Sequence, residues 1–375
     1  MEDAGLTLDD LPDELLMRIL AQVKDPFELL TVVPLVCKRW HAVHREPETW
    51  AQVRLEEYAA EDDEDAKWEL VNILQRAPYV QYLSGDLLRS PEMFAAVASS
   101  GVVVEEYRQP YHHKYEFVRP ERLPILLDML YRSRHVIRVA EVELDNYGHE
   151  RVVDSGGRNA LEVLLSLKKL EELVVRGRSE LPYHGELAQG LPCLKKLKVS
   201  ECGLGGILDQ VMSTDLIRGS KKLRCIKLVP VGCTGERTGI MRLQQECLKE
   251  AKNCPRLEAV ELSVGTTDWH NSRRLAKYIR ELLQTFEGFS PTLRRIDISV
   301  QLVWYGMREA DDATYDRTLA ACEEEATKLK RVNRALEITF ACTQGHPEQV
   351  MHGGDPDNDG WRQLVGPNDR VVYHW

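Results

Sequence analysis

Apolar positions crowd the first fifty residues at the spacing of helices. Leu11, Leu15, Leu16, Ile19, Leu20 and Val23 recur so as to mark one wide apolar face. Asp10 is expected to cap this helix, with Pro12 close behind it. A second apolar segment, Pro26 to Val33, leads to Pro34, whose fixed φ and missing N–H suit the first turn of a third helix through Val36, Cys37, Trp40 and Val43. A block this small buries only about 60% of the surface its unfolded chain exposes. Three short helices with so full an apolar face are therefore expected to need a wall supplied by another polypeptide.

Between Glu56 and Glu69 the pattern changes to eight carboxylates in fourteen residues, which predicts a solvated linker running into a helix from Asp65 to Arg76. Beyond Tyr79 a loose repeat emerges. An apolar-x-x-apolar-x-apolar motif starts at Val139, Leu170, Leu194, Leu223, Leu257, Leu293 and, in degenerate form, Asn333, with steps of 31, 24, 29, 34, 36 and 40 residues. Each motif predicts a short strand, and most precede an amphipathic segment such as ALEVLLSLKKL, IMRLQQECLKEAKNC, RLAKYIRELLQTF or AACEEEATKLKRV. Like strands alternating with helices predict an α/β fold of parallel strands stacked as a solenoid, because one repeat cannot bury its own apolar face and a stack can. YVQYLSG and VVVEEYR are weaker candidates for the start of the array.

Composition narrows the classes. The 375 residues are 43% hydrophobic and 29% charged, with no unbroken apolar run near the roughly 18 to 20 residues that span a bilayer, so no membrane partner is expected. A net charge of -11 argues against nucleic acid as main partner. Nine cysteines without a CxxC pair, no Asn-x-Ser/Thr acceptor and an acidic MEDAGLTLDDLPDE start predict a reduced protein of the cytoplasm or nucleus.

Leu11-Pro12 with Glu14 and Leu15, then Ile19-Leu20, Leu29, Val32, the run Leu35-Val36-Cys37-Lys38-Arg39-Trp40 and finally Trp50 resemble the F-box. The resemblance implies a short three-helix F-box at 6–54, an acidic linker and helix at 55–78, a leucine-rich-repeat solenoid at 79–343 and a C-terminal cap or tail at 344–375. It also implies binding to a Skp-type adaptor and, through it, a cullin. Leu11, Pro12, Leu15, Ile19, Leu20 and Val36 would form the adaptor interface or the small core behind it, Lys38 and Arg39 would pair with adaptor acids at its rim, and Trp40 would either pack internally or make contact. The later repeats match more loosely. LxxLxLxxC is whole only at Leu194 to Cys202, and Pro34 stands where the family more often has a small polar residue or Cys.

Catalytic chemistry finds no complete constellation. Cys37, His41 and His44 fall at i, i+4 and i+7 but lack a fourth ligand of suitable spacing. Gly203, Gly205 and Gly206 suggest a dinucleotide loop, yet Leu208 stands where a small residue is needed. Asp355, Asp357 and Asp359 copy the first half of a calcium loop whose closing position is Gly366. His112 and His113 are adjacent and so diverge. The expectation is therefore no catalysis, no metal and no cofactor.

Residues between the apolar strand positions are expected on the concave side: Glu141, Glu143 and Asp145, then Glu172 and Arg176, then Lys196, Lys198 and Lys227, then Glu261, Arg295 and Asp297. The middle lysines suit an acidic or phosphorylated segment of a protein substrate, or serve solubility alone. Trp269, His270, Trp304 and Tyr305, with Trp361, Tyr373 and Trp375, either recognise that substrate or cap the array. Two functions fit: a substrate-recognition adaptor of an SCF-type ubiquitin ligase, or a repeat scaffold that binds the adaptor without directing ubiquitylation.

Overall fold

The computed structural model describes residues 8–23, 25–56, 64–109, 122–143, 153–176, 185–201, 210–230, 237–266, 272–303, 312–345 and 370–374. The chain divides into two compact units, one formed by 1–110, 121–140 and 152–169, the other by 111–120, 141–151 and 170–375.

The first unit begins with a 3-10 turn, Leu8–Asp10, followed by α1 (Asp13–Leu20), α2 (Pro26–Thr31), α3 (Val33–Val36) and α4 (Lys38–Val43). Two details depart from the sequence expectation. Pro12, not Asp10, is the N-cap of α1, and no side chain caps that end, because Asp10 belongs to the preceding turn. The expected third helix is broken in two at Cys37, which is extended (φ -161, ψ 171) and caps α4 by accepting from Trp40 N at 3.5 Å. Cys37 is exposed, so it does not share the packing face of this segment. A 3-10 turn, Pro47–Trp50, then drives Trp50 into the core, where its Nε1 donates to the His44 carbonyl.

From there β1 (Arg54–Leu55) pairs parallel with β2 (Tyr79–Ser84), and β2 with β3 (Val103–Arg108). The opening residues of β4 (Val139–Glu143) continue the order beside β3. Helices α5 (Glu64–Arg76), α6 (Pro91–Ser99), α7 (Leu123–Arg132) and α8 (Ala160–Ser166) complete this unit. The weaker sequence candidates at Tyr79 and Val103 are thus strands, and α8 carries a full capping box between Asn159 and Glu162.

In the second unit β5 (Glu172–Arg176), β6 (Lys196–Glu201), β7 (Cys225–Pro230), β8 (Ala259–Thr266), β9 (Arg295–Val303) and β10 (Glu337–Gly345) pair parallel in chain order. Helices α9 (Gln210–Gly219), α10 (Arg237–Ala251), α11 (Ser272–Thr285) and α12 (Asp312–Val332) separate the later strands. Leu173, Leu197, Ile226, Val260, Ile296 and Ile338 stand in one register row, all buried. This period-two alternation turns every repeat's apolar residues to the same side, and parallel pairing in chain order is compatible with the expected solenoid.

Polar turn residues stitch neighbouring repeats where strands begin. Leu191 N donates to Ser220 Oγ at 3.2 Å, Thr292 Oγ1 donates to the Leu257 carbonyl at 3.0 Å, and Asn333 Nδ2 donates to the Leu293 carbonyl at 2.8 Å. Such bonds satisfy buried backbone groups that the strands leave unpaired. The last strand was not foreseen: β11 (Arg370–His374) runs antiparallel to β10, with Tyr373 opposite Phe340. Among the described residues no helix is long and apolar enough to cross a membrane.

Candidate docking surface

The N-terminal helices sort their apolar residues into two sets. Leu16, Leu20, Leu29, Val33 and Trp50 are buried, which makes a small core, and Thr49 Oγ1 helps close it by donating to the Val43 carbonyl at 2.8 Å. A second set points outward. Leu15 and Ile19 on α1 are each 43% exposed, Val36 is 55% exposed and Leu35 83%. Leu8 and Val32 add to it at 51% and 56%. Helical spacing explains the division, because residues 16 and 20 share a face that 15 and 19 flank. A cluster of large exposed aliphatics on so short a segment is a feature of surfaces that meet another molecule.

Arg39 holds this surface together. Its guanidinium meets Asp13 Oδ1 at 2.7 Å and also donates to the Leu11 carbonyl, joining the start of α4 to the start of α1. The exposed residues of α1 and those just before α4 therefore lie to either side of one joint. Of the expected contact residues, Pro12, Leu15, Ile19, Val36 and Lys38 are exposed, whereas Leu11, Arg39 and Trp40 are half-buried and Leu20 is buried. Leu20 thus belongs to the supporting core, and Arg39 is engaged within the chain. Sequence reasoning left Leu35 out of the contact set, although it lies inside the matching run. Trp68 on α5 was also missed: it is 61% exposed and packs edge-on to Phe27, with ring centroids 6.3 Å apart. The buried stripe Leu70, Ile73 and Leu74 could have revealed it, since residue 68 lies off that stripe.

On the second unit, the side opposite the core carries the residues expected to face a substrate. Lys198 stands beside Lys227 in register, and Lys196 beside Glu172. The lysines are tied into a ladder of opposite charges: Lys196 lies 3.6 Å from Glu172 and Lys227 3.3 Å from Glu261. Arg295 continues the ladder, reaching Glu261 at 2.8 Å and Asp297 at 2.9 Å. Partial burial pushes the Asp297 carboxyl above its usual range, against the pull of Arg295 and a hydrogen bond from Thr339. Burial, reinforced by Glu261, raises the Cys225 thiol to about 11.

Exposure falls steeply along these strands. The Lys196 and Arg295 side chains near the strand starts are 64% and 49% exposed, while Arg176, at the far end of β5, is 7% exposed and paired with Glu141. Ser200, Val229 and Ser263 are buried in the same way. Exposure of the alternate residues is therefore greatest toward the strand starts, and there the charges are paired with one another. Glu143 ends β4. Asp145, Trp269, His270, Trp304, Tyr305, Trp361 and Trp375 lie outside the described residues, as do the His112–His113 pair, the Gly203–Gly206 loop and the Asp355–Gly366 segment.

Residues 8–56 match the family model described as F-box-like, a span that contains the whole exposed aliphatic set together with its supporting core. A search of curated proteins returned no match.

Proposed function

We propose that this chain is a non-catalytic substrate-recognition subunit of an SCF-type ubiquitin ligase, docking on a Skp-type adaptor through the F-box-like segment and holding a protein substrate on its repeats. The observation that carries the reading is the outward set Leu15, Ile19, Leu35 and Val36 within residues 8–56, backed by a separate buried core. Covering such a set removes apolar surface from water at about 25 cal/mol per Å², before association costs are subtracted. The mechanism is proximity: tethering raises the effective concentration of substrate lysines at a ubiquitin-charged enzyme, and the receptor makes and breaks no bond. Cytoplasm and nucleus, where such ligases operate, are the proposed locations.

A pull-down of the full chain tests this. Wild type is compared with a Leu15→Asp/Val36→Asp variant and read for adaptor, cullin and enriched client proteins. Both positions are exposed, so the variant is expected to melt like wild type, to lose adaptor and cullin together, and to keep its clients. Undiminished adaptor in the variant would overturn the docking assignment. Adaptor without cullin in wild type would instead favour a scaffold that does not direct ubiquitylation.

A further inference from the structure

In a chain of net charge -11, one edge of the second unit is basic. Consecutive strands β7 to β10 are each preceded by a tight turn, and these turns stack because Glu258 N donates to the Arg224 carbonyl, Arg294 N to the Glu258 carbonyl and Glu337 N to the Arg294 carbonyl, at 2.7–2.8 Å. Lys221, Lys222, Arg256, Arg294, Arg331 and Arg334 lie in or beside these turns, and all are exposed. None of the six has an ion pair among the described residues; Lys222 Nζ lies 3.9 Å from Cys193 Sγ. Their neighbours differ. Arg218 is held by Glu250 at 2.7 Å, and Arg224 stands 3.6 Å from Glu258. Against these six cations, Glu287 and Glu337 are exposed acids of the same stretch of chain, so cations predominate.

Helix ends explain part of this row. Arg331 closes α12 and Lys221 follows α9, where a cation complements the C-terminal partial charge. Lys222, Arg256 and Arg334 lie in the turns and Arg294 directly before its strand, and the helix ends do not account for them. Val332, 85% exposed between Arg331 and Arg334, adds an apolar contact.

We propose that this strand-start edge is a docking surface for a short acidic polypeptide segment. The inference deepens the substrate-receptor reading and moves the anionic contact from the internally paired lysines on the sheet to the edge. Three strand spacings of about 4.8 Å separate the turn before β7 from the turn before β10, so the row spans roughly 14 Å. That is the reach of about four or five extended residues, a match for a brief run of Asp and Glu. The acidic remainder of the protein does not cancel the patch, since potentials decay within about 8 Å at physiological ionic strength. Single-stranded nucleic acid fits less well, because no exposed aromatic ring accompanies these cations among the described residues to stack on a base.

The test is fluorescence anisotropy of the full chain with a labelled peptide of alternating Glu and Asp around one Leu. Wild type is expected to bind it and to release it as salt is raised. Lys222→Glu/Arg256→Glu/Arg294→Glu is expected to bind at least about tenfold more weakly, and the milder Lys222→Gln/Arg256→Gln to fall between. Lys198→Gln/Lys227→Gln is expected to bind like wild type. The proposal is overturned if wild type ignores the peptide, if the edge variants bind it undiminished, if an oligothymidylate of equal length binds more tightly, or if millimolar inorganic phosphate displaces the peptide completely. Leu15→Asp/Val36→Asp should bind the peptide normally, so failure of adaptor docking and failure of this edge are read separately.

Discussion

Arg39 reaches from the start of α4 to Asp13 on α1, 2.7 Å away, and its second contact is the Leu11 carbonyl. The ion pair is partly exposed and contributes about 0–1 kcal/mol, with the bond to the carbonyl adding about 1 kcal/mol. Arg39→Ala is expected to lower the melting temperature by a few degrees and to weaken adaptor binding by loosening the joint. Arg39→Lys should restore little, since an ammonium cannot replace the two-pronged guanidinium. Thermal melts and titration with purified adaptor check both.

The two aliphatic sets on α1 should behave oppositely. Leu16→Ala and Leu20→Ala remove buried side chains and are expected to cost about 2–5 kcal/mol in denaturant unfolding. Leu15→Ala and Ile19→Ala should change stability by under about 1 kcal/mol while weakening adaptor capture. Equal destabilisation by all four would mean that the outer set is part of the core.

Gly190 takes a left-handed φ of 63°, and a Cβ built on it would stand 2.2 Å from the carbonyl carbon of Gly219. Gly190→Ala therefore combines backbone strain with a collision between two repeats. Gly157→Ala meets strain alone, at φ 77° with nothing within 4 Å of the added carbon, and Gly101→Ala has open space at its Cβ. The expected order of destabilisation in calorimetry is Gly190 above Gly157 above Gly101, with Gly157→Ala costing about 1 kcal/mol.

Much of this architecture was legible beforehand. The apolar motifs at Val139, Leu170, Leu194, Leu223, Leu257, Leu293 and Asn333 all lead into strands, because alternation on a strand with one buried face leaves a direct imprint on sequence. The break at Cys37 was not legible: Val36, Trp40 and Val43 keep helical spacing on both sides of it, and the interruption shows only in the backbone angles of one residue. Nor was β11, whose role depends on a partner strand twenty-five residues earlier, between Gly345 and Arg370. At the docking surface the sequence marked the apolar residues but not which of them turn outward. Leu16 and Leu15 differ in nothing but the rotation of the helix.

His44 supplies a pH dependence. Burial is the main cause that holds its imidazole below the ordinary value of 6.5, opposed by the bond to the His41 carbonyl and aided by the nearby His41 and Arg45. A base whose native pKa is lowered binds fewer protons folded than unfolded, so its contribution is present above about pH 6.5 and is lost as pH falls toward the native value. The first unit should accordingly melt at lower temperature at pH 5.5 than at pH 7.5, about two units apart, and His44→Gln should flatten that slope. An NMR titration placing the His44 pKa above that of free imidazole side chains would contradict this.

Thiol chemistry should separate along burial. Burial, with Glu246 and Glu250 nearby, pushes the Cys247 thiol up to about 12, and burial likewise raises Cys254. Cys37 is exposed. Because the thiolate is the reacting form, iodoacetamide should modify native Cys37 well before Cys247 or Cys254, which should label only on unfolding. Peptide mass spectrometry reads the order.

Strand direction at β10 has a bearing on assembly. A parallel array offers its last backbone edge to whatever strand arrives next, and β11, returning head-to-tail along Thr339 to Thr343, occupies that edge with hydrogen bonds from the same chain. The terminal edge among the described strands is thereby cut from the nine residues of β10 to the five of β11, and removing Arg370–His374 should expose the longer edge and raise self-association in light scattering.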